Sequence, residues 1–432
     1  MIAMVTESKS ELDKLIGMEV YSTDSRGVGG LLRVSLEDFV VEEIPLKAPS
    51  AGAYTVLVVE KRGIDTLTAA MRIARRLRLP LRDVGFAGLK DTRSVSRQRF
   101  TVKLQGEIDL QLVSDRNIKV LDVYKARKPL KPGMLLGNRF TVTIRDIQVS
   151  PKEAERLLKE AFSQAEEMGG FPNFYGYQRF GIHRPNTHVI GKFLVKGLYE
   201  EAVMELLTST YPGEPDMHRR ARLLLAETMD FKEALKNFPH TLVYERSVIK
   251  VLSRRPRDYL AALRSLPKSV LSLYVDAYLA YIFNKALSER LRKLRSLSAV
   301  VEGDIIARVD DYGNPLRPTR IAKRAGARSE QEVLMAFIPA DTRIGMEGFM
   351  GEIIASVFKS EGVHPPFKSV EELGLQGKIG LIRPLSFKPK NLSFKVGGDL
   401  TVTLSFTLPK SSYATVLLRE LMKPSDPIAS GF

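Results

Sequence analysis

The sequence predicts an α+β fold in which strand-rich segments at the two ends enclose a mostly helical middle. Stretches rich in β-branched residues recur up to about residue 148 and return at 391–408, while helix-rich sequence takes over from about residue 185. At 432 residues, 44% of them hydrophobic, the chain is long enough to bury a large core in two or three domains.

Residues 31–44, LLRVSLEDFVVEEI, and 53–61, AYTVLVVEK, read as strands from their partial alternation. A helix follows from about Thr66 to Arg78, with Asp65 available as N-cap and Pro80 ending it. Leu67, Met71 and Ala74 are spaced to face a core, and Arg72, Arg75 and Arg76 share the other face. Strands are expected again at 98–104, 118–125 and 139–148, separated by polar connections such as Lys128–Gly137. The next helix has Ser150 as N-cap, Pro151 at N1, Glu153 at N3 and two glycines, Gly169 and Gly170, beyond its last turn.

The segments AVMELL, MHRRARLLLAETM and Ser269–Arg295 read as helices of a separate domain. Tyr274, Tyr278 and Tyr281 fall at i, i+4 and i+7, the spacing of a buried stripe rather than of a base-stacking platform. Residues 391–408 return to strand, with Val396-Gly-Gly-Asp399 as a hairpin turn. Strand on both sides of a helical middle implies an insertion. The expected bounds are 1–172 for the first part of the outer domain, 173–384 for the inserted one and 385–432 for the return.

Composition removes several chemistries. Cysteine is absent, so disulfides, thiolate nucleophiles and cysteine-bound zinc are excluded. His183 and His188 lie five apart with no acidic residue between them, which is not a helical pair of metal ligands, and no metal is expected. The stretch from Gly85 to Thr92 places Leu89 between glycine and lysine, so it is not a nucleotide phosphate loop. No apolar run approaches the ~20 residues that cross a bilayer, and the first residues are acidic where a secretory leader would be basic, so a cytoplasmic protein without membrane partners is expected.

The net charge of +16 is unevenly spread. Residues 51–150 hold 20 Lys or Arg against 9 Asp or Glu, whereas residues 1–50 hold 5 against 9. A phosphate-rich partner accounts for such concentration, because each neutralised phosphate releases counterions; a merely basic solvated surface is the alternative.

Five blocks occur in order: L32-R-V-S-L-E-D-F-V-V-E-E43, F86-A-G-L-K-D-T-R-S-V-S-R-Q98, L136-G-N-R-F140, F171-P-N-F-Y-G-Y-Q-R-F-G181 and S412-Y-A-T-V-L-L-R-E-L421. Singly they mean little, since an aspartate after Gly-Leu-Lys is ordinarily an N-cap or an ion-pair partner. Together they resemble the signature blocks of the tRNA pseudouridine synthase D family (TruD), in an archaeal-like member, from about residue 30 to 421. Fainter likeness extends over S272–L291 and V301-E-G-D304. The resemblance implies a pseudouridine synthase catalytic domain with a mixed, mainly antiparallel sheet, interrupted by a mostly helical α+β domain peculiar to the family.

The implied reaction converts uridine in tRNA to pseudouridine, at uridine 13 of the D arm, on a flipped-out base and without a cofactor. By resemblance Asp91 is the catalytic aspartate and nucleophile, attacking the sugar or the ring, with proton abstraction during glycal formation as the open alternative. Such a carboxylate must be ionised in a pocket that excludes water, which calls for a nearby cation. Arg33 stands at the position of the family's basic partner, where lysine is more typical. Phe39, Asn138, Phe140 and Tyr413 match substrate-binding positions, and Asn138 can both donate to and accept from the imide edge of uracil. Phe39 and Phe140 are also suited to plain core packing. Tyr413 keeps the ring where phenylalanine also occurs and adds a hydroxyl.

Lys90, expected to alternate away from Asp91 along a strand, would meet RNA phosphate together with Arg72, Arg75 and Arg76. That arginine stripe is otherwise a solvated face. Tyr175, Gln178, Arg179 and Phe180 match another block without separable roles. The expected partner is tRNA and the expected state a monomer. A non-catalytic RNA-binding or remodelling protein is disfavoured by Asp91, Arg33 and Asn138 occurring together; a synthase with additional RNA targets stays open.

Overall fold

Alternation along the strands organises the molecule around one large sheet. The structure, a computed structural model, describes residues 5–46, 51–104, 110–340, 346–377 and 379–432. The chain divides into two compact units, one comprising Ser25–Glu166, Val309–Leu316 and Phe387–Phe432, the other Met1–Asp24, Glu167–Arg308 and Arg317–Ser386.

The first unit holds an eight-stranded sheet. In chain order its strands are β1 (Phe39–Pro45), β2 (Tyr54–Arg62), β3 (Val84–Phe86), β4 (Val95–Val102), β5 (Ile118–Ala126), β6 (Leu135–Ile144), β7 (Lys390–Val396) and β8 (Val402–Pro409). They lie in the order β7-β8-β6-β1-β4-β2-β5, with β3 paired beside β4. Only β1 and β4 run parallel; the other pairings are antiparallel, so the sheet is mixed and mainly antiparallel, as expected.

Register decides which side chains share a face. Phe39 pairs with Val142, Val41 with Phe140, Phe140 with Phe406 and Asn138 with Leu408. On the same face Val41 meets Ser96, Ser96 meets Lys61, and Gln98 meets Val59. The opposite face is polar: Arg97 bridges Glu42 and Glu60, and the Thr143 and Thr403 hydroxyls lie 3.2 Å apart. One face is therefore the core face, and Phe39, Asn138 and Phe140 all project from it.

Helix α1 (Thr66–Arg76) begins where Asp65 accepts from the Thr68 amide. Its buried side is Thr66, Ala69, Ala70, Ile73 and Ala74, packed on Leu57, Val59 and Phe100. Leu67 and Met71, expected to point inward, are 49% and 50% exposed. The small-residue stripe wins because alanines let the helix lie close to the sheet. Helix α2 (Pro151–Met168) starts as expected, with the Glu153 amide donating to Ser150 Oγ, and Phe162 packs on Phe394 of β7. Helix α3 (Ala414–Met422) is buried along its whole length. The stretch 31–38, expected as strand, is instead irregular with a 3₁₀ turn over Leu36–Asp38, in which the Ser35 amide donates to Asp38.

In the second unit the helix Lys268–Leu294 is the central element, buried along most of its length. Tyr274 and Tyr278 are core residues, and Tyr281 is half-buried with its hydroxyl donating to Glu361. A four-stranded sheet formed by Ile305–Arg308, Arg320–Ile321, Glu332–Pro339 and Gly380–Pro384 accompanies the helices. The block Phe171–Gly181 is a packing hub here. The Tyr175 amide donates to Asn284, Tyr177 donates to Asp13 at 2.6 Å, and the Arg383 guanidinium lies 3.9 Å from the Tyr175 ring centre.

The first residues and one excursion fall outside the bounds read from sequence. Asn284 donates to the Ile16 carbonyl and Ser288 to that of Gly17, which ties the segment ending at Asp24 to the helical unit. Conversely, Val309–Leu316 belongs with the large sheet, where Asn314 donates to the Leu136 carbonyl and accepts from the Lys410 amide.

Candidate active site

Asp91 lies on the irregular stretch between β3 and β4, and its backbone is held from several sides. Lys61 Nζ, on the core face of β2, donates to the carbonyls of Ile64 (2.7 Å), Asp91 (3.1 Å) and Lys90 (3.4 Å). Thr66 Oγ1, in the first turn of α1, accepts from the Lys90 amide at 2.8 Å and donates to Gln98 at 2.9 Å. Gln98 donates in turn to the Gly88 carbonyl, and Ser94 Oγ to that of Asp91. The loop is thus pre-formed by the sheet and helix beneath it, so the carboxylate loses little freedom when it acts.

Arg33 meets that carboxylate from a segment 58 residues away, its NH2 2.8 Å from Asp91 Oδ2. It also donates to the Gly431 carbonyl, while its own carbonyl accepts from Arg93. Arg33 adopts φ 56°, a left-handed conformation that costs a non-glycine residue about 1–3 kcal/mol and persists only where its surroundings impose it. Its guanidinium lies 4.3 Å from the Phe39 ring centre. Burial pulls the Arg33 pKa down from the ordinary arginine value while Asp91 opposes the shift. A charge so placed requires a counter-ion.

Around this pair the aromatic residues form a chain. Phe39 meets Phe140 edge-on at 6.1 Å, and Phe140 stacks on Phe406 at 5.4 Å. Phe39 is 3% exposed, with one ring face covered by Arg33, so it supports the cation rather than offering a free stacking surface. Phe140 is likewise buried. Asn138, on the same face, has a buried Oδ1 with no hydrogen-bond partner among the described residues, an acceptor left without a donor. Tyr413 is half-buried at the N-cap of α3, four residues past the end of β8, whose Leu408 pairs with Asn138.

Two expectations need correction. The Asp91 side chain is 43% exposed, so the free protein does not seal the carboxylate from water. Lys90 does not face a phosphate-accessible surface: the segment is not a strand beyond Phe86, and the Lys90 side chain is buried, with Nζ 3.8 Å from Glu43 Oε2. Burial lowers its pKa and Glu43 counters that, which marks it as a core ion-pair residue. Arg99 secures the same Glu43 at 2.8 Å.

The arginine stripe lies apart from this constellation. Arg76 and Arg72 both reach Asp115, at 2.7 and 3.3 Å, while Arg75 is exposed and has no ion pair among the described residues. Among the described residues no group of three or more His, Asp or Glu side chains is placed to hold a metal ion, and no helix is long and apolar enough to cross a membrane.

The family model described as tRNA pseudouridine synthase D (TruD) matches residues 15–421. The chain belongs to the tRNA pseudouridine synthase D family. With it the chain is an enzyme of the isomerase class. A Methanosarcina acetivorans protein named "Probable tRNA pseudouridine synthase D" is 35% identical over 435 residues, covering 97% of this chain and 98% of that protein. A Methanopyrus kandleri protein of the same name is 39% identical over 375 residues, 86% of each chain. The crystal structure of the Methanosarcina mazei protein assigned as tRNA pseudouridine synthase D aligns with a TM-score of 0.78 at 33% identity, covering 96% of this chain and 98% of that one.

Membership of the tRNA pseudouridine synthase D family leaves three residues that sequence reading passed over: Lys61, Thr66 and Gln98. Lys61 had a signal. It shares the parity of Leu57 and Val59 in AYTVLVVEK, and an inward lysine is uncommon enough to flag a task. Thr66 and Gln98 are ordinary polar residues in sequence, and only the folded loop reveals them.

Proposed function

We propose that this chain isomerises uridine 13 in the D arm of tRNA to pseudouridine, with Asp91 as nucleophile and Arg33 as its ionic partner. The observation that carries the reading is a half-exposed carboxylate held at 2.8 Å by a buried arginine on a braced loop. The reaction breaks the C1′–N1 bond, turns the base and joins C1′ to C5; the C5 hydrogen is lost and N1 regains one, so composition is unchanged. Arg33 pairs with the Asp91 carboxylate and aims it. Asn138 Oδ1 accepts from the imide N–H of the everted uracil, and Tyr413 lies against its ring. The bound tRNA completes the exclusion of water from Asp91.

Purified protein is expected to convert one uridine per molecule in an unmodified tRNA transcript, mapped chemically to position 13. Conversion at a different nucleotide would overturn the site assignment, and none at all would overturn the activity.

Arg75 is proposed to contact tRNA phosphate, with Arg72 and Arg76 contributing less because Asp115 already neutralises part of their charge. Arg75→Glu is expected to reduce the slope of log affinity against log salt by about 1, the value for one phosphate contact. Titrations of tRNA binding at several salt concentrations measure it, and an unaltered slope returns the stripe to the solvated-face reading.

A further inference from the structure

Lys61 is a fully buried ammonium, 0% exposed, in a strand whose other inward residues here are Leu57 and Val59. Burying an unpaired cation costs several kcal/mol, and a methionine would fill the same space without that cost. Its three N–H donors match three acceptors, the carbonyls of Ile64, Lys90 and Asp91. Two of those belong to the loop that presents the carboxylate.

We propose that Lys61 is a positioning residue for Asp91: its ammonium clamps the backbone of residues 90 and 91 so that the carboxylate reaches Arg33, and it places a second positive charge beneath the reacting group. This rests on the assignment of Asp91 above. Because only the protonated form offers three donors, the clamp is set by the proton on Nζ. The charged groups acting on it are Asp91 and Lys90 of the loop and Asp65 at the start of α1, while its strand partners Ser96 and Ile118 are uncharged. Burial lowers the Lys61 pKa to about 8, with Asp91 and Asp65 opposing and Lys90 adding to the shift. The clamp is therefore whole at neutral pH and released as pH rises through that value. A lysine depressed in this way binds fewer protons folded than unfolded between the two pKa values, so its contribution makes the fold more stable as pH rises there. A loss of turnover in that window is consequently not unfolding driven by Lys61 itself.

Three measurements test the clamp. The wild-type kcat under single-turnover conditions should fall as pH rises above about 8; a flat profile overturns the proposal even if no variant folds. Lys61→Met should lower kcat by ~10²-fold, the cost of a small misplacement of a reacting group, while the KM for tRNA stays within about 3-fold because no binding contact is removed. Full kcat in the folded variant overturns it. The chain has no cysteine, so Lys61→Cys can be alkylated selectively with 2-bromoethylamine in denaturant and refolded, giving a lysine analogue with a more acidic ammonium. That protein should regain turnover with its alkaline limb moved to lower pH, and an unmoved limb counts against Lys61. An active Lys61→Met alongside an inactive Asp91→Asn refutes the clamp alone, whereas an active Asp91→Asn refutes the underlying assignment.

Discussion

Asp91→Asn is expected to slow conversion of uridine by on the order of 10⁴-fold, the scale seen when one member of a catalytic set is removed. The substitution keeps the shape and a hydrogen-bond acceptor toward Arg33, and removes the charge on which attack or proton abstraction depends. The variant should still fold, because the loop is held through backbone carbonyls and amides that asparagine retains, but it should lose some stability, since Arg33 is left without the counter-ion its burial calls for. Affinity for tRNA should therefore stay within about tenfold of wild type, since neutralising one carboxylate slightly favours a polyanion. Mapping of pseudouridine in single-turnover reactions, beside a binding titration, checks both parts. Turnover within tenfold of wild type would remove Asp91 from the chemistry.

Asp304→Ala is expected to destabilise the helical unit by roughly 3–5 kcal/mol, the usual cost of stranding a buried charge. Arg290 is 0% exposed and grips both oxygens of Asp304, at 2.7 and 2.6 Å, while the Val301 amide donates to the same carboxylate. Without the carboxylate, the guanidinium keeps the Ala299 carbonyl as its remaining acceptor. The two units need not unfold together, so the loss should be read in the urea transition of the helical unit. A shift worth less than about 1 kcal/mol would show that water reaches Arg290. Replacing both partners with apolar residues should recover much of the loss, because the desolvation cost disappears with the pair.

The same ion pair shows how far sequence reading reached into the helical unit. The faint blocks S272–L291 and V301–D304 carried likeness without roles, and the structure joins them through Arg290 and Asp304. The tyrosine stripe of the long helix was legible as core because spacing on a helix is a property of adjacent turns. The start of α2 was legible for a similar reason, since Ser150, Pro151 and Glu153 act within one turn. Helix α1 was legible in extent and misread in orientation: Leu67 and Met71 have helical spacing, yet the alanine side faces the sheet, and which side is covered depends on the partner.

In the candidate site, the likeness of the ordered blocks named Asp91, Arg33, Asn138 and the aromatic residues together. It could not tell that the Phe39 ring lies under Arg33, that Lys90 is turned inward to Glu43, or that the carboxylate stays half open.

What the sequence by itself determined is everything that acts over a few residues: strand alternation, helix caps, the breaks between elements and the ordered blocks that mark the family. The tertiary structure alone decided which cations are buried and what they hold, because Lys61, Arg33 and Asp91 are brought together by strand register and chain return. A buried charge is tolerable only where distant backbone and side chains converge to solvate it, and that convergence is a property of the folded chain.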